Sequence, residues 1–96
     1  MASYRLTNRA AGDLDNIYLY TLTTFGYRQA EDYARAMYQV FEDLAANPRL
    51  GREAEDIRSG LRRHEHDRHV IFYRVDGNGV LILTLLHEAM DHQIHF

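Results

Sequence analysis

The chain opens on a short alternation, with Tyr4 and Leu6 on one face and Arg5 and Thr7 on the other. Period two predicts a strand. Asn8 follows, with a side chain able to satisfy the free amides of a helix start. Ala10, Leu14, Ile17, Tyr18, Thr21 and Phe25 then recur at three- and four-residue spacing, the stripe of an amphipathic helix. Gly26 ends it, because glycine takes the left-handed backbone that terminates helices at no steric cost. From Ala30 through Tyr33, Ala34, Met37, Phe41 and Leu44 to Ala45 the helical period runs unbroken. Glu31, Asp32, Arg35, Gln39, Glu42 and Asp43 fill the other face. Asn47-Pro48 stops this second helix, since the proline ring disfavours helical geometry in the residue before it. A link as short as Phe25-Gly26 folds the helices back as an antiparallel hairpin.

Residues 48–60 have no sustained period and read as a loop. The pattern turns extended at Leu61–His66, a strand with one wet face, and at Val70–Val75, which is rich in β-prone residues. Asp76-Gly77-Asn78-Gly79 is a hairpin turn. Val80–Leu86 is almost continuously apolar, as in a central strand covered on both faces. His87–Phe96 reads as a polar tail. The order β-α-α-β-β-β predicts an α+β fold: a short N-terminal strand, then a helical hairpin packed on an antiparallel sheet with a three-strand C-terminal meander. At 96 residues, 1–96 is expected to form a single domain. One helical hairpin covers only one face of a sheet, so apolar surface is expected on the other, which calls for a partner.

Charge changes the picture more than composition does. All 11 basic residues are arginine, against 14 acids, for a net charge of −3. Seven of the arginines fall between Arg49 and Arg74. Proteins that grip a phosphate backbone are usually basic overall, so an acidic chain with an arginine-rich middle points to a protein partner, without sequence-specific nucleic-acid binding. The absence of cysteine excludes disulfides and thiol catalysis. No apolar run approaches the ~20 residues of a membrane span, and no apolar signal-peptide core opens the chain. A cytoplasmic protein is the expectation.

His64, His66 and His69 could offer ligands to zinc, but a zinc site needs three or four converging donors. A polar edge strand is the plainer reading, and no metal or cofactor is expected. Ser3 and Ser59 lie in no nucleophile elbow, and the glycines at 77 and 79 sit in a hairpin rather than before a helix. Metal-independent ribonuclease chemistry has more material. His87 and Tyr73 could move protons, with Arg58, Arg62, Arg63 and Arg74 stabilising phosphate charge. Arginine stays protonated and is a poor acid or base.

The fragments YRLTNRAAGDLDNIYLYT, FG-x3-A-x2-Y, ANPRLGRE, IRSGLRR, HVIFYRV and LLHEAMD occur in this order over nearly the whole length. In that order and spacing the chain resembles toxins of the RelE/ParE superfamily of bacterial type II toxin–antitoxin modules, on the ParE side. The resemblance implies the same helical hairpin on a sheet. It implies a toxin neutralised by a ParD-like antitoxin, whose C-terminal segment wraps it in a hetero-oligomer, with DNA gyrase as target and no catalysis. RelE-type ribosome-dependent mRNA cleavage, through His87, Tyr73, Arg62 and Arg74, is the enzymatic alternative. An inactive antitoxin-binding module that tunes operon repression is the third. Gly51, Arg52, Arg58, Tyr73, Arg74, His87, Met90 and Asp91 occupy recurrent motif positions, and Arg62 and Arg63 join Arg52 and Arg58 as candidate antitoxin or target contacts. Two departures stand out: Phe25 precedes Gly26 where family members often have tryptophan, and Ala89 stands where they often carry arginine.

Overall fold

The computed structural model describes residues 3–96. Its elements are β1 (Tyr4–Leu6), α1 (Asn8–Phe25), α2 (Tyr27–Ala46), β2 (Arg52–Glu53), β3 (Arg62–His66), β4 (His69–Asp76), β5 (Gly79–His87) and α3 (His92–His95). The strands form one sheet in the order β1-β5-β4-β3-β2. β3, β4 and β5 make the expected antiparallel meander. β1 joins the far side of β5 in parallel, so the sheet is mixed. β2, inside the stretch read as a loop, is a two-residue edge strand antiparallel to β3. Two residues are too few to show any period, which is why the sequence hides it.

Gly26 alone joins the helices, with φ +96 and its N–H donated to Leu22 O. The α1 cap is Thr7 rather than Asn8: its hydroxyl accepts from Ala10 N at 3.0 Å. That residue also ties the helix to the sheet, its N–H reaching Ile82 O and its hydroxyl donating to Leu83 O at 2.8 Å. A Tyr18–Glu31 hydrogen bond links the two helices. It keeps the phenol protonated by raising its pKa to about 12.

The main core lies between the helices and one sheet face. Ala10, Leu14, Met37, Phe41, Leu44 and Ala45 meet Ile71, Tyr73, Val80, Ile82 and Leu85 there. Phe25, placed in the α1 stripe, is instead exposed at the hairpin tip. In β5, Ile82 and Leu85 both belong to this core, a spacing of three rather than two. The cause is a bulge: Phe72 pairs with Thr84 and Tyr73 with Ile82, leaving Leu83 unopposed. A bulge inserts one residue into a ladder and shifts the alternation beyond it.

The second face is not bare. Ala54 and Leu61, from the segment beside β2, cover Val70, Phe72 and Leu86, with Ile57, Leu83, Met90 and Phe96 packed around them. The chain's own apolar residues therefore cover part of the face that was expected to need a partner. The covering residues are scattered through irregular segments, and only the path of the chain brings them together.

Candidate interaction surface

The arginines sit where the loop after α2 folds against β3. Tyr73 organises this corner from inside the main core, with no exposed surface. Its hydroxyl accepts from Gly51 N at 2.9 Å and donates to Pro48 O at 2.7 Å. Gly51 is needed because a Cβ there would lie 2.4 Å from that hydroxyl and 2.6 Å from Arg63 O. Arg62 closes the corner by donating to Gly51 O at 2.6 Å. The isolated Gly51-Arg52 of the sequence is thus the seat of a buried tyrosine.

Outside it, Arg52 donates to Glu65 Oε1 at 2.8 Å and Arg63 reaches the same oxygen at 3.3 Å. Burial works against the Glu65 carboxylate. The hydrogen bond and charge of Arg52, with Arg63 behind it, outweigh that and hold it below its ordinary range. Arg63 also lies over the Phe72 ring at 5.5 Å, and Arg58 over Phe96 at 4.7 Å. Beside them opens a depression lined by Arg58, Arg62 and Arg74 around Leu61, Val75 and Leu83, with Glu53 and Glu55 also contributing. Val75 and Leu83 escaped the sequence reading. Val75 closes a β-prone run yet is exposed, and the bulge that frees Leu83 has no sequence signature.

His87, Met90 and Asp91 lie elsewhere. His87 ends β5 opposite His69, and its Nδ1 accepts from Ala89 N at 3.0 Å. Ala89 is exposed. Met90 packs on the second face. Asp91 caps α3 by accepting from Gln93 N and Ile94 N. α3 then sets Phe96 against Phe72 with ring centres 5.2 Å apart.

These positions do not converge on one point. Successive strand residues face opposite sides, and His87 shares a side with Leu85, toward the helices. Arg58 and Phe72 belong to the other side. Arg62 pairs with Tyr73 and His87 with His69, four residues apart along β4, or about 13 Å. The surface divides into an arginine-lined depression with an apolar floor, and a separate turn at His87–Asp91. The first offers fixed positive charge and greasy contact. Among the described residues no three histidine, aspartate or glutamate side chains are grouped to hold a metal ion. Nor, among them, is any helix long and apolar enough to cross a membrane.

The fold is shared with chains of two toxin–antitoxin systems. A chain of the chromosomal ParDE TA system from P. aeruginosa superposes with a TM-score of 0.77 at 24% identity, over 91% of this chain and 96% of that one. A chain of the toxin–antitoxin complex RelBE2 from Mycobacterium tuberculosis gives 0.60 at 23% identity, over 93% of each. Sequence similarity is closer. Toxin ParE1 of Caulobacter vibrioides is 42% identical over 95 residues, 99% of this chain and 98% of the relative. Toxin ParE1 of Mycobacterium tuberculosis is 38% identical over 89 residues, 92% of this chain and 91% of the relative. The family described as "ParE toxin of type II toxin-antitoxin system, parDE" matches residues 4–92. The chain belongs to the ParE toxin family.

Proposed function

We propose that this toxin acts in the cytoplasm by binding DNA gyrase and stalling it on cleaved DNA, with no catalysis of its own. A ParD-like antitoxin neutralises it by folding onto the arginine-lined face. The observation that carries the antitoxin half is the depression itself, where Arg58, Arg62 and Arg74 surround Leu61, Val75 and Leu83. Such a surface suits a segment that alternates acidic and apolar side chains and orders on binding. Arg58 and Arg74 are exposed there, and their guanidinium groups can pair with an incoming carboxylate. Family membership supports the gyrase half, and the acidic net charge fits a protein target.

The ribonuclease alternative draws on His87, Tyr73, Arg62 and Arg74. Tyr73 is sealed in the core with its hydroxyl spent on two bonds, and His87 faces the helices. That division favours binding over acid–base work. Expression in cells separates the readings. We expect the chain alone to arrest growth with transcripts intact, and co-expression of an upstream frame of ~80 residues with a ribbon-helix-helix pattern to restore it. Cleaved transcripts, abolished by His87→Ala, would establish the enzyme instead. Harmless expression of the folded chain would leave only a repression module.

A further inference from the structure

Tyr33 of α2 meets one end of the sheet in a cluster that the arginine depression does not involve. Its hydroxyl lies 2.7 Å from His69 Nδ1. The His69 ring stands edge-on to His87 with centres 5.6 Å apart, and the Tyr33 ring is 5.8 Å from His66. Strand register forces this meeting, since His69 is paired with His66 on one side and His87 on the other. Three imidazoles therefore crowd beneath one phenol. The charged groups around them are Asp67, whose carboxylate is 3.6 Å from His66 Nε2, and Glu88, whose N–H bonds Arg68 O across the strand ends. On α2 the facing group is Tyr33 itself. These side chains are not disposed to hold a metal ion, so the chemistry they share is proton binding.

We propose that this cluster is a proton-operated latch: when neutral it pins α2 to the β3–β4 turn and the end of β5, and when charged it releases both. Burial, then Asp67, push the Tyr33 phenol up to about 12, so it keeps its proton and can donate to the bare Nδ1 of a neutral His69. Burial, then His87 and His66, hold His69 below its ordinary range against the opposing pull of Asp67 and Glu88. A second proton on His69 occupies Nδ1, so the bond to Tyr33 must reverse. It also sets a positive charge beside two further imidazoles. The sign follows. With a closed-state pKa below the free value of about 6.5, the open form binds more protons in acid. The latch is fully favoured above that value and is lost as pH falls through the closed-state pKa. This inference is independent of the gyrase reading.

Hydrogen exchange of the purified chain, corrected for intrinsic rates, tests it between pH 7.5 and 5.5. Peptides containing Tyr33 and residues 66–69 should exchange faster as pH falls, by up to about tenfold per pH unit for each extra proton the open form binds. Peptides from the middle of the sheet should not follow. His69→Gln should flatten that dependence, and Tyr33→Phe should raise exchange of the same peptides at pH 7.5 while leaving the far-ultraviolet spectrum intact. Flat exchange in the wild-type chain, or equal pH dependence in folded His69→Gln, would overturn the proposal. So would an NMR titration placing wild-type His69 at or above the free imidazole value, an observation that needs no variant.

Discussion

Tyr73 and Gly51 are matched across 22 residues of sequence by a 2.9 Å hydrogen bond. Each explains a constraint on the other. Tyr73→Phe would strand Gly51 N and Pro48 O at a buried corner, at a cost of about 1–3 kcal/mol. For a domain this size that is a loss of order 10 °C in melting temperature. Gly51→Ala should cost about as much through overpacking, since its Cβ would collide with the hydroxyl. Thermal melts read both, and Tyr73→Phe combined with Gly51→Ala should cost less than the two losses added, because the first removes the atom the second strikes. At this scale the sequence marked Gly51 and Tyr73 as motif positions but not as partners. Their contact depends on the path of the loop after α2, which no local pattern encodes. His87 read as the start of a polar tail, yet it ends β5 and faces the helices.

Periodicity made the helices and the β3–β5 meander legible, because each buries one continuous stripe. It failed where a side chain does a backbone's work. β1 ends at Leu6, and beyond it Thr7 and Asp13 take over the outer edge of β5. Asp13 Oδ2 accepts from the buried Thr84 hydroxyl at 2.6 Å and from Leu85 N at 3.0 Å. Asp13 reads as one polar residue on the wet side of α1, so nothing in the sequence singles it out. Asp13→Ala would leave a strand amide and a buried hydroxyl unpaired, costing about 2–4 kcal/mol. Urea denaturation should show the midpoint falling with the slope unchanged, and a shift under 0.5 kcal/mol would remove Asp13 from this role. α3 and the second cluster escaped for a similar reason. A four-residue helix carries no stripe, and Met90 and Phe96 pack on a face that the helical hairpin cannot reach.

At the scale of the molecule, the arginine-rich middle marked in the sequence becomes a patchy surface rather than a uniform one. Arg52 and Arg63 are engaged by Glu65, Arg62 by Gly51 O, and Arg58 by the Phe96 ring. Arg58, exposed and held by a ring rather than by a carboxylate or carbonyl, and the exposed Arg74 are therefore the places to reverse charge at least cost to the fold. In the antitoxin complex, Arg58→Glu with Arg74→Glu should speed dissociation about tenfold or more. Unchanged dissociation by surface plasmon resonance would place the antitoxin elsewhere. The central claim, that this ParE-family chain poisons gyrase by binding it, is tested most directly by a supercoiling reaction with purified toxin, gyrase, relaxed plasmid and ATP. Supercoiling should fall and cleaved plasmid should accumulate as toxin is added, and antitoxin should reverse both. Unimpaired supercoiling with no cleaved DNA, from a folded toxin in excess over gyrase, would contradict it.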